Sequence, residues 1–412
     1  MATVRPFAAL RPAAKYAEQT IALPYDVMNR KEAAAMAEGN PYSFLHITRS
    51  EIDLPETVDA YSPSVYEKAK SNLSARIADG SLLREEKPLY YIYRQTMDGR
   101  TQTGLVACVS INEYQNNIIR KHELTRLEKE LDRINHFDIC NANTEPVFLT
   151  YRNVPEITAI MEKIKTTQSP VYDMTTSDGI GHTLWLVTDD EVIRTLTEDF
   201  SKVPCLYIAD GHHRSASAAK VGLKRREERP AYDGNEEFNY FMAVIFPDSE
   251  LCIFDYNRVV RDLNGYTTET FLRKLEDSFL LEKQSSSPYR PEARHIFSMY
   301  LDGSWYKLTA KEEVLSDNPV EGLDVSILQK QVLCPLLGIE DPRTDHRIDF
   351  VGGIRGLNEL ERRVATDMQV AFAVHPVSLE ELMRISDQDM IMPPKSTWFE
   401  PKLGSGLFVH EL

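Results

Sequence analysis

Apolar and polar positions alternate along this chain in two periods, and the switches between them divide it into short strands and helices. Runs rich in β-formers at 89–93 and 105–109 flank Asp98-Gly99-Arg100. An Asp-Gly pair tolerates the positive φ angles of a tight turn, so this stretch predicts a hairpin. Short apolar runs at 44–47, 147–149, 184–187 and 241–246, and the run ending at Asp210, predict further strands. Helical spacing takes over at about 64–78, 156–165 and 190–200, and Asn29 stands where it can cap a helix over 30–38 that Gly39-Asn40-Pro41 then stops. The run Arg126-Leu127-Glu128-Lys129-Glu130-Leu131-Asp132-Arg133 predicts a helix with a solvated charged face, and Ser285-Ser286-Ser287-Pro288 predicts a loop. Hairpins mixed with separately placed helices predict an α+β fold, with a boundary near residue 262 dividing 1–262 from 263–412.

The densest polar chemistry sits where one predicted strand becomes a helix, in Pro204-Cys205-Leu206-Tyr207-Ile208-Ala209-Asp210-Gly211-His212-His213-Arg214-Ser215. Asp can cap a helix, and Gly allows an abrupt turn. The first turn of the following helix offers unpaired amides and the positive end of its dipole beside His212, His213 and Arg214, which together suit an anion such as phosphate. Small residues from Ser215 to Ala219 permit close approach of a ligand or a neighbouring backbone.

Composition narrows the partners. The 412 residues are 42% hydrophobic and 27% charged, as in an ordinary globular protein, and no apolar run has the length of a membrane span. The start of the sequence lacks the apolar core of a signal peptide, so a cytoplasmic location is expected. Acids outnumber bases 63 to 47, for a formal charge of -16, which argues against coating nucleic acid. The five cysteines have no metal-site spacing and are expected as free thiols, mostly buried.

Other clusters carry candidate chemistry. Arg120-Lys121-His122-Glu123-Leu124-Thr125 puts a carboxylate at a predicted strand end among cations, and Pro24-Tyr25-Asp26-Val27 holds an Asp at a rigid turn. Lys395 and Lys402 lie in a proline-rich segment near the end of the sequence, and Asp341–Phe350 concentrates both signs of charge, as expected of an ion-pair network.

Taken together, PYDV, NPYSFLHIT, KHELT, EPVF, ADGHHR, FDYNR and MPPKSTWFEPKLGSGL resemble domain-of-unknown-function family 1015, in the same order and across nearly the whole chain. The ADGHHR element is similar to the nucleotide-binding turn of the ParB/sulfiredoxin superfamily. The polar-Gly-x-His-Arg form of that turn is matched here by Asp210, Gly211, His213 and Arg214, with His212 at the variable place, and free serine kinases of the superfamily carry the closely similar form DGHxR. The resemblance implies a ParB/sulfiredoxin-like nucleotide-binding core with a mixed sheet and hairpins, elaborated by additional α/β segments. It implies a kinase that phosphorylates free L-serine with ADP or ATP and Mg²⁺.

On that reading Gly211, His212, His213, Arg214 and Ser215 bind phosphate. The catalytic carboxylate is Glu123, with Asp26 behind it and Asp210 as a further candidate that also suits Mg²⁺, while His122, Thr125 and Lys395 are possible substrate or phosphate contacts. The competing reading is a nucleotide-binding switch or nucleotide hydrolase without a kinase acceptor. Neither nucleic acid nor membrane is expected as a partner, and sulfiredoxin-like chemistry lacks a cysteine in the turn.

Overall fold

In the computed structural model, which describes residues 1–284 and 287–412, the predicted hairpin forms from β1 (Tyr90–Met97) and β2 (Arg100–Ser110). Asp98 and Gly99 make its turn with φ of 50° and 78°, the doubly left-handed geometry that the Asp-Gly pair permits. Six further strands extend this hairpin into a mixed sheet: β3 (Ile119–Arg120), β4 (Val147–Tyr151), β5 (Tyr172–Thr175), β6 (Gly181–Val187), β7 (Leu206–Asp210) and β8 (Tyr240–Pro247). Their order is β3-β7-β4-β8-β2-β1-β6-β5, with the short strand Val4–Arg5 also paired to β2. β7 is parallel to β3 and antiparallel to β4, and β8 is parallel to β4.

Central strands β2 and β8 are buried on both faces, which is why they read as almost continuous apolar runs. Leu105, Ala107, Val109, Ala243 and Ile245 share one core with Ala218, Ala219 and Val221 of a helix that packs on the sheet. That helix, labelled α3 below, lies against its neighbour through small residues. Three helices matter for the site: α1 (Pro63–Ala78), α2 (Leu127–Cys140) and α3 (His212–Glu228). Ser215, Ala216 and Ser217 are buried, and the Ser217 hydroxyl donates to the Glu130 carbonyl of α2 at 2.9 Å.

The chain forms two compact units, one made of Met1–Leu251 with Pro401–Leu412 and the other of Cys252–Glu400. The closing segment returns to the first unit through pairing of His410 with Asn143 and of Val409 with Leu10. The second unit is built on an antiparallel sheet in the order Phe279–Lys283, Ser304–Ala310, Ile296–Leu301, Val370–Ala373, Tyr256–Val260, Ile348–Gly352. Trp305, Val351, Leu360 and Ala371 form its core.

Asn29 caps the helix Arg30–Ala37 in a capping box with Glu32, and Pro155–Thr167 and Asp190–Phe200 are helical as expected. Two expectations fail. The apolar run at 44–47 is a short helix, Leu45–Thr48, rather than a strand, because a run this short carries no period and Phe44, Leu45 and Ile47 all bury in either conformation. The charged run of 126–133 is not solvated throughout: Arg126 and Glu128 are exposed, but Glu130, Asp132 and Arg133 are buried by distant partners. Of the predicted serine loop, Ser285 and Ser286 lie outside the described residues, and Ser287-Pro288 has no regular structure. The five cysteines are free; Cys108, Cys140 and Cys205 are buried, whereas Cys334 is exposed. Among the described residues, no helix is long and apolar enough to cross a membrane.

Candidate functional site

β7 ends in an irregularity between Ile208 and Asp210, and the chain turns into α3 through Gly211, whose φ of 95° and ψ of 32° only glycine adopts readily. Gly211 itself is the N-cap, and no side chain caps the helix, so the first-turn amides are left without side-chain partners. Asp210 therefore does not cap α3 as the sequence suggested. Its Oδ1 accepts the Gly211 N–H at 2.9 Å, and its Oδ2 lies 3.3 Å from Lys402 Nζ and 3.7 Å from an Arg214 guanidinium nitrogen. Burial opposes ionisation of this carboxyl, but the Lys402 and Arg214 charges outweigh it and hold it well below the usual carboxylate range.

Arg214 is 2% exposed. It donates to the Pro146 carbonyl at 2.5 Å, and its guanidinium packs beneath the turn, where a Cβ on residue 211 would meet Nε at 3.1 Å. Its Nε has no hydrogen-bond partner among the described residues. Burial works against its charge, and Asp210, Asp26 and Glu145 more than restore it.

Three imidazoles surround the corner. His122 and His212 are buried and meet edge to face at 4.5 Å, with the His122 amide donating to His212 Nε2 at 3.4 Å. Burial pushes His122 down to about 4 despite Asp210, and burial together with His122 keeps His212 well below the ordinary histidine value. His213 is half-buried and accepts the Arg126 amide on Nε2 at 3.0 Å, which identifies the neutral ring protonated on Nδ1; burial is again what lowers its pKa. One ligating atom from each of His122, Glu123 and His212 lies within 4.8 Å of the others. The Ser215 hydroxyl is fully buried and turns back to the Gly211 carbonyl at 3.1 Å, and the Thr125 hydroxyl donates to Glu130 at 2.7 Å.

Beside this corner, the Tyr25–Val27 turn forms one wall of a cavity of about 140 Å³, lined among others by Asp26, Arg49, Tyr61, Tyr66, Lys129 and Arg133. The turn is held from below by Glu145, whose Oε1 accepts the Tyr25 amide and the Ser405 hydroxyl, each at 3.0 Å. Arg49 donates to the Tyr25 and Met28 carbonyls at 2.7 and 2.6 Å. Arg133 stacks 3.9 Å over the Tyr25 ring and pairs with Asp132 at 2.9 Å and Glu145 at 3.3 Å. Glu145 is 1% exposed; burial raises its pKa, and Arg133 and Arg214 oppose that rise. Asp26 is exposed on the cavity wall and interacts electrostatically with both His213 and Arg214.

Thus Asp210 to Ser215, His122 and Glu123 gather at the corner, and Asp26 stands at the adjoining cavity. Lys395 belongs to the second unit, with its Nζ 5.6 Å from the Tyr256 ring. Sequence reasoning gave no role to Glu145, Arg49, Tyr61 or Tyr66. The one available signal was Glu145, a lone carboxylate two residues before the buried strand β4 begins.

The family described as protein of unknown function DUF1015 matches residues 4–326. The chain belongs to this family. A search of curated proteins finds no match for this DUF1015 chain. Among solved structures it is similar to a mutant free serine kinase in complex with AMP, at 11% identity and a TM-score of 0.37, covering 73% of this chain and 92% of that one. It is also similar to SbnI with a C-terminal truncation from Staphylococcus aureus, at 11% identity and a TM-score of 0.40, covering 74% and 86%. A conserved hypothetical protein from Pyrococcus furiosus aligns at 13% identity and a TM-score of 0.35, covering 73% and 95%.

Proposed function

We propose that this DUF1015 protein is a nucleotide-dependent small-molecule kinase with a ParB/sulfiredoxin-like core, which phosphorylates free L-serine to O-phosphoserine with ADP or ATP and Mg²⁺. The observation that carries the reading is the corner at 210–214, where a strand passes through a left-handed glycine into an uncapped helix, beside a small polar cavity with Asp26 on its wall. Several features fit a polyphosphate. The first-turn amides lack a side-chain cap, and Lys402 brings a cation to the same turn. Arg214 lies beneath the turn, so its role is to fix the Pro146 carbonyl and Gly211 and to add positive charge from inside.

Asp210, ionised at any physiological pH, is the oxygen donor suited to a hard cation such as Mg²⁺. When bound, that cation supplies neutralisation of charge on the transferring phosphoryl group. The cavity mixes acids and cations: Arg49, Lys129 and Arg133 suit a carboxylate, while Asp26 suits an ammonium or hydroxyl group, a pattern that matches a small zwitterion. Asp26 and Glu123 are the two candidates to orient or deprotonate the acceptor hydroxyl.

The test incubates the purified chain with Mg²⁺, ADP or ATP and a panel of hydroxyl metabolites, and follows products by phosphorus NMR. O-Phosphoserine is the expected product. Nucleotide loss with no phosphorylated acceptor would replace this reading with a hydrolase or switch.

A further inference from the structure

We propose that His122, Glu123 and His212 form a binding site for one first-row divalent cation of the zinc class, at the start of α3. The topology brings these residues together. β3 and β7 run parallel, with Leu206 opposite Ile119 and Tyr207 opposite Arg120, so the segments that follow them leave the sheet at the same end. His122-Glu123 follows β3 and His212 follows β7, and one ligating atom of each comes within 4.8 Å of the other two.

A second observation is independent of this clustering. His122 is 2% exposed, yet its Nδ1 has no hydrogen-bond partner among the described residues. A buried polar atom without a partner carries a desolvation cost, and a metal bond removes it. The donor set selects the ion: two imidazoles and one carboxylate suit zinc and its neighbours rather than Mg²⁺ or Ca²⁺, and three protein ligands leave a fourth position open. Bonds of about 2.0–2.2 Å set tetrahedral ligands about 3.3–3.6 Å apart, so binding draws the three atoms inward. Glu123 lies in the irregular segment between β3 and α2. The His122 amide contact to His212 Nε2, at 3.4 Å, is long for a hydrogen bond and is readily exchanged for a metal–nitrogen bond.

This site is separate from the Mg²⁺ of the kinase reading and does not rest on it. Ligation would occupy Glu123 and leave Asp26 as the acceptor-facing carboxylate. The experiment strips the full chain with a chelator and titrates it with Zn²⁺ by calorimetry without nucleotide, then repeats the titration with Co²⁺ and records its visible spectrum.

One Zn²⁺ per chain is expected, with the intense Co²⁺ bands of a four-coordinate site. Glu123→Gln, at a partly exposed position, should weaken binding at least about tenfold, and His122→Gln more. Circular dichroism and melting establish that each variant is folded. A Cys334→Ser control should keep one ion per chain. Substoichiometric binding, affinity unchanged in folded Glu123→Gln, or loss of the ion in the Cys334→Ser control would overturn the site.

Discussion

Replacing Gly211 by alanine tests the architecture of the corner most directly. The residue has φ of 95°, so an L side chain there is strained by roughly 1–2 kcal/mol. Its Cβ would also lie 3.1–3.2 Å from three atoms of the Arg214 guanidinium. That group cannot retreat cheaply, because it is buried, bonded to the Pro146 carbonyl and paired with Asp210. Crowding of this kind adds roughly 1–3 kcal/mol. The sum, about 2–5 kcal/mol, corresponds to a loss of the order of 10 °C in the melting of the first unit.

Gly99 provides the comparison. Its φ is 78° and nothing lies within 4 Å of a Cβ built there, so Gly99→Ala carries the backbone strain without the contact. Calorimetric melts of the two variants separate the terms, and nucleotide titration reads whether the displaced guanidinium matters for ligand. The reasoning fails if Gly211→Ala melts no lower than Gly99→Ala, or if a folded Gly211→Ala protein binds nucleotide as tightly as the parent.

Further predictions concern the buried charges. Arg133→Met strands Asp132 and Glu145 in the interior and should cost about 3–5 kcal/mol in urea unfolding, and a loss under about 1 kcal/mol would show that the pairs contribute little. In the second unit, burial raises the Asp324 carboxyl to about 7, with Glu381 adding to the rise. The folded state then keeps a proton that the unfolded chain releases, so stability falls as pH rises from about 4 through 7. Asp324→Asn should abolish that decline and leave the second unit more stable than the parent at pH 8; equal pH profiles would refute the assignment. Asp26→Asn should lower turnover of O-phosphoserine formation at least about 100-fold with nucleotide affinity nearly unchanged, and normal turnover would remove Asp26 from the chemistry.

What was legible in the sequence was local. The turn at Asp98-Gly99, the cap at Asn29 and the strand–glycine–helix corner at 210–214 are each specified by residues within a few positions of one another, and the chain follows them. The fate of 126–133 was not local. A helix with alternating charges looks the same whether it faces water or distant partners, and here Glu130 meets Lys220, Asp132 meets the Tyr66 hydroxyl at 3.0 Å, and Arg133 meets Glu145. The histidine pair was likewise hidden, because His122 and His212 stand 90 residues apart and meet only through the parallel pairing of β3 with β7.

The charge arrangement at the corner limits what it can bind. Asp210 already faces Lys402 and Arg214, so the turn carries its own internal anion, and Arg133 is likewise matched by Asp132 and Glu145. The histidines add no charge, because burial keeps His122 and His212 neutral at pH 7. Fixed cations therefore do not exceed fixed acids among these groups, and a polyphosphate arriving alone would meet the Asp210 carboxylate with little net attraction beyond the helix amides. A divalent cation would change the balance, since Asp210 would hold it as an oxygen ligand and its charge would offset that of the carboxylate. The same carboxylate that opposes a bare polyphosphate is then the reason a nucleotide would enter the turn as a metal complex.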